Sequence, residues 1–147
     1  MVKKLRENLA MYAVLAVLAG GLGAFLWQAV GGGGGETGGA VAVTVPQLSP
    51  AAAEGKQAFD AVCAACHGAN AAGSEKGPPL VHNIYNPGHH ADAAFYLAAR
   101  RGVRQHHWPF GDMPPQPQVS DEELASIIEY VRELQRANGI AWQQHQM

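Results

Sequence analysis

The residues best equipped for chemistry are Cys63-Ala64-Ala65-Cys66-His67. Two cysteines three positions apart fall on one side of a helical turn. Both sulfurs can then form thioethers with the two vinyl groups of one porphyrin. The histidine that follows is carried under the iron, where its imidazole serves as the proximal axial ligand. The spacing therefore implies one covalently bound haem c, attached through Cys63 and Cys66 and ligated by His67. The chain contains two cysteines in all, so this motif accounts for its whole thiol chemistry.

Other chemistries of a Cys-x-x-Cys pair fit less well. A structural zinc site needs four ligands, and the histidines after residue 67 include no pair at the spacing of a Cys2His2 site. A thioredoxin-like dithiol wants strand-helix-strand surroundings, whereas the flanks here are Ala-rich and helical. A simple disulfide leaves His67 unexplained.

A second axial ligand is sought among the four methionines. Met1 and Met11 precede or lie within the apolar N-terminal run, and Met147 is the last residue. Met113 stands in a Pro- and Gly-rich loop, Trp108-Pro109-Phe110-Gly111-Asp112-Met113-Pro114-Pro115, that could present its sulfur to the iron. A thioether in that position favours ferrous iron and raises the potential relative to a second histidine. His106 and His107 are the rivals for the same role. Trp108 could donate its indole N–H to a haem propionate or simply cover the haem edge. His82, His89 and His90 could contribute to a surface metal site, copper being one candidate.

The elements that must hold these residues are all helical. Ser49-Pro50 reads as an N-cap and first helical residue, opening a helix that runs through Gly55 and Phe59 into the motif. Asp92 to Arg101 reads as a short helix ended by Gly102. Its last residues, with Arg104, form a basic cluster suited to an acidic partner or a propionate. Ser120 and Glu123 form a capping box, after which Leu124, Ile127, Ile128, Val131 and Leu134 recur at helical spacing. Asn138-Gly139 ends that helix, and no strand signal of any strength is present.

The pattern Gly55-x-x-x-Phe59-x-x-x-Cys63-x-x-Cys66-His67 resembles the N-terminal helix of class I, mitochondrial-type cytochromes c. Gly77-Pro78-Pro79-Leu80 resembles that family's Gly-Pro-x-Leu segment, and Met113-Pro114-Pro115 before a terminal helix is similar too. The resemblance covers roughly residues 50–139. It implies an all-α, small cytochrome c fold around one covalent haem. It further implies that the Pro78 carbonyl accepts from the axial histidine, that Leu80 packs on the haem face, and that Tyr130 and Leu134 meet Gly55 and Phe59. Pro78, Leu80, Trp108, Phe59 and Tyr130 are thus expected to support the pocket.

Residues outside that stretch read differently. Residues 1–8 carry Lys3, Lys4 and Arg6, and residues 9–30 are uncharged. As a helix those 22 residues would span about 33 Å, enough for a hydrocarbon core. The run is longer than the apolar region of a cleaved signal peptide, so an uncleaved single-pass anchor is expected. Basic residues before it and Glu36 after it place the N-terminus in the cytoplasm. The rest falls on the outer side of a bacterial cytoplasmic membrane, in the periplasm, where haem c is attached. Residues 31–49 begin with five glycines and read as a flexible linker with a span of roughly 25 Å. Residues 140–147 read as a tail.

The formal net charge of −2 carries no nucleic-acid footprint. The expected function is transfer of single electrons between respiratory or photosynthetic membrane complexes, with no small-molecule substrate and no catalytic residues. By resemblance, the partners are a bc1-type complex and a terminal oxidase. Two alternatives stand beside it: a fixed subunit of a larger membrane oxidoreductase, and a haem sensor with a labile Met113.

Overall fold

The computed structural model describes residues 39–144. Four α-helices carry the fold: α1 (Pro50–Val62), α2 (Ala64–His67), α3 (Asp92–Arg101) and α4 (Asp121–Ala137). Two 3₁₀ turns, Ala69–Ala71 and Asn83–Tyr85, lie in the long connection between α2 and α3. Among the described residues the only β-type pairing is an isolated antiparallel bridge between Val103 and Met113.

Helix boundaries follow from local chemistry. At α1, Ser49 Oγ accepts from the Ala52 N–H at 3.2 Å and Pro50 occupies the first turn. At α4 the capping box is complete: Ser120 Oγ accepts from Glu123 N–H (3.1 Å), and Glu123 Oε2 accepts from Ser120 N–H (2.8 Å). Each such cap satisfies donors that the helix cannot satisfy itself. The α3 helix stops at Gly102, whose φ of +72° is open to glycine at little cost.

The core forms where α1 crosses α4. Ala52 and Phe59 from α1 meet Ile127, Tyr130, Val131 and Leu134 from α4, all buried. The Phe59 and Tyr130 rings pack edge to face with centroids 5.6 Å apart. Gly55 lets the two backbones touch; a Cβ there would lie 1.9 Å from the Ser126 carbonyl oxygen.

The domain edges extend beyond those expected from sequence. Val41 N–H donates to Ala72 O, and Thr44 exchanges two 2.8 Å hydrogen bonds with the Asn138 side chain. Val43 and Leu48 pack against the core. Residues 41–49 are therefore docked on the domain, a correction to their reading as free linker. At the other end Ile140 is buried, so the tail also begins inside the fold. The anchor expected over residues 9–30 lies outside the described residues. Among those described, no helix is long and apolar enough to cross a membrane.

Candidate haem-binding site

The end of α1 sets the site. Cys63 keeps helical dihedrals (φ −80°, ψ −34°) and joins α1 to α2. This brings Cys63, Cys66 and His67 to the wall of one cavity of about 500 Å³. That volume falls within the range of roughly 300–1,000 Å³ typical of cofactor pockets. Other walls come from Pro78 and Leu80, from Phe95 and Ala98 of α3, and from the loop carrying Trp108 and Met113.

His67 is oriented by its backbone neighbour. Its Nδ1–H donates to the Pro78 carbonyl at 2.9 Å, as the Gly-Pro-x-Leu resemblance implied. Burial lowers its pKa, against the opposing pull of that hydrogen bond, so the imidazole is neutral at neutral pH. Nε2 then keeps its lone pair, the atom that an iron requires. Burial, and after it the neighbouring Cys66 thiol, push the Cys63 thiol up to about 11. A thiol held protonated is a poor spontaneous nucleophile.

Met113 is pinned at the foot of its loop. Met113 N–H donates to Val103 O (2.9 Å) and Val103 N–H to Met113 O (3.0 Å). Within that loop Asp112 Oδ1 accepts from Gln105 N–H, and Gln105 Oε1 accepts from Gly111 N–H. Gly102 passes directly beneath; a Cβ there would sit 2.5 Å from the Met113 carbonyl oxygen. The side chain of Met113 is half-buried and lines the same cavity as His67.

The rivals on this loop stand at the exposed edge of the cavity. His106 and His107 also touch the cavity but are exposed. His106 Nδ1–H donates to Arg104 O at 2.8 Å, and His107 Nε2 lies 3.2 Å from His89 Nε2.

Whether these residues suit a haem can be tested on Trp108. Its indole N–H is buried and lies beside the Tyr85 hydroxyl without completing a hydrogen bond to it. A donor left so costs about 1–3 kcal/mol, and a propionate carboxylate would satisfy it. Tyr85 lines the same cavity. Burial pushes its phenol up to about 12, with the nearby Trp108 indole opposing, so Tyr85 stays a protonated donor. Two thiols, one oriented imidazole, apolar walls and spare donors for a carboxylate fit a haem c.

The remaining expectations divide. Leu80 and Phe59 line the cavity. Tyr130 stands behind Phe59 instead, with its hydroxyl donating to Asn70 Oδ1 at 3.3 Å. Of the basic cluster, Arg101 and Arg104 face the cavity. Arg100 is a clamp, donating to Val119 O and pairing with Asp121.

Sequence reasoning missed Arg132 and Gln135, both buried in α4. Arg132 donates to Asp92 Oδ1 (2.8 Å), Tyr85 O (2.8 Å), His90 O (2.5 Å) and Gln135 Oε1 (2.6 Å), and its guanidinium stacks on Phe95. Gln135 Nε2 donates to Leu80 O (2.8 Å). Together they fasten the 80–92 connection, and with it one cavity wall, to α4.

An all-α domain with a Cys-x-x-Cys-His turn on a cavity of this size defines a covalent haem protein. The chain belongs to the cytochrome c family, which it matches over residues 52–135. Members of that family bind a covalent haem c and carry electrons. Comparison with curated proteins gives no match. Comparison with solved structures gives none either.

Proposed function

We propose that this is a membrane-tethered class I monohaem cytochrome c. It carries single electrons on the periplasmic side of a bacterial cytoplasmic membrane, between complexes such as a bc1-type quinol oxidoreductase and a terminal oxidase. The observation that carries the electron-carrier part of this reading is that His67 and Met113 line one cavity, the His67 ring held by the Pro78 carbonyl and Met113 by its backbone bridge to Val103.

Haem, when bound, supplies the one-electron Fe(III)/Fe(II) couple. The chain supplies the frame. The Pro78 carbonyl holds the His67 ring in one tautomer and one orientation. The Val103–Met113 bridge fixes the base of the loop that presents the thioether. His67 and Met113 would together hold the iron and would leave no coordination site for substrate or gas, which favours a carrier over an enzyme. The apolar walls limit water near the redox centre.

The tether follows from residues 1–38: a basic start, an uncharged run long enough to span, and a glycine-rich leash. Residues 50–147 hold seven Lys/Arg and ten Asp/Glu, so the domain lacks a strongly basic docking face.

Carbon monoxide provides the test. Added to the reduced full-length protein, it should leave the absorption spectrum unchanged over minutes. Ready binding would mean that Met113 leaves the iron, and would favour the sensor reading.

A further inference from the structure

At the edge of the cavity, which His90 and His107 help to line, lies a cluster of histidines that electron carriage does not use. His89, His90 and His107 each offer a ring nitrogen, and these three atoms all lie within 4.8 Å of one another. His82, grouped with His89 and His90 at the sequence level, is placed elsewhere. Its Nδ1 accepts from Ile84 N–H, capping the 3₁₀ turn Asn83–Tyr85, and its ring packs on Trp108. His107, from the loop that carries Met113, takes its place.

We propose that His89, His90 and His107 bind one divalent first-row cation of the borderline class that imidazole favours, such as Zn²⁺. Three observations converge. His89 Nε2 and His107 Nε2 are 3.2 Å apart. Two nitrogens on one tetrahedral zinc, each at about 2.0–2.1 Å, lie about 3.3 Å apart. The His89–His107 pair is thus already near ligand spacing. His90 Nδ1–H donates to the Ile84 carbonyl at 2.8 Å, leaving Nε2 as its ligand atom. A ring N–H given to a backbone carbonyl is the usual support of a metal-bound histidine. Finally, the ligands come from two separate segments, 89–90 before α3 and 107 after it. A cation here would cross-link the turn held by Arg132 to the Met113 loop. Three imidazoles leave a fourth position for water, and softer or harder cations are disfavoured by an all-nitrogen set.

The site does not depend on the electron-carrier reading. The test uses the untagged full-length protein with haem attached, so that Cys63 and Cys66 are thioethers and cannot compete. Zn²⁺ is titrated calorimetrically into wild type, His89→Gln, His107→Gln and His82→Gln. The proposal expects one equivalent bound by wild type and by His82→Gln. It expects affinity at least about tenfold weaker in His89→Gln and in His107→Gln. At one fixed Zn²⁺ concentration the thermal midpoint of wild type should rise more than that of either variant. The proposal is overturned by absence of a one-equivalent event in wild type. It is equally overturned by zinc binding that survives both substitutions, or that His82→Gln removes instead.

Discussion

Gly55 on α1 and Ser126 on α4 bring two helix backbones into contact: a Cβ on Gly55 would lie 1.9 Å from the Ser126 carbonyl oxygen and 2.8 Å from Ile127 N. Backbone atoms cannot rotate aside as a side chain can. The crossing that this contact allows brings Phe59 against Tyr130, and so sets the floor of the cavity.

Gly55→Ala should therefore destabilise the haem-bound protein. Alanine gains about 1 kcal/mol of helix propensity over glycine. Forcing the helices apart costs more, for a net loss of at least about 2 kcal/mol. Guanidinium unfolding followed by far-UV circular dichroism measures it. An unchanged midpoint would show that the helices do not cross as closely as described.

Arg132 anchors the connection between the haem motif and α3. Replacing it with methionine keeps much of the volume but strands the His90 carbonyl and Gln135 Oε1, and leaves the Tyr85 carbonyl with the Gln135 amide alone. Asp92 is largely exposed and contributes little to the difference. The expected loss is about 2–4 kcal/mol. Because the same connection supplies Leu80 and Tyr85 to the cavity, the haem absorption envelope should broaden as well.

Removing the haem should unfold the domain. Without haem, the apolar walls of a cleft of about 500 Å³ would face water within a small core, an unfavourable exposure at roughly 25 cal/mol per Å². The stability of a typical domain is only about 5–15 kcal/mol. A Cys63→Ser, Cys66→Ser double variant that carries no haem should show much reduced helix content by far-UV circular dichroism. Native helicity in that variant would contradict the idea that haem completes the core.

How far these features were legible in sequence depended on whether their partners were local. The caps at Ser49 and Ser120, the stop at Gly102 and the Cys63-Cys66-His67 turn are defined within a few residues, and each is found where expected. The His67–Pro78 hydrogen bond spans eleven positions and became legible through a family pattern. Arg132 and Gln135 were not legible, because a polar residue on a helix reads as solvated. Their partners are main-chain carbonyls some forty to fifty-five residues away, which carry no side-chain signal. Val41, Val43 and Val45 alternate, but over five residues beside a glycine-rich tract, which is too short a run to mark residues 41–49 as docked. The histidine cluster joins residues 89–90 to 107 through a loop path that spacing alone does not reveal.

In the proposed carrier, Met113 and His67 would both hold the haem iron. Ferric haem with a methionine sulfur on the iron has a weak far-red absorption band that other axial ligands do not give. The full-length protein, expressed with haem-attachment machinery and oxidised, should show this band, and Met113→Ala should abolish it while retaining covalent haem. A haem-loaded wild-type protein without the band, or a band that survives Met113→Ala, would contradict the account.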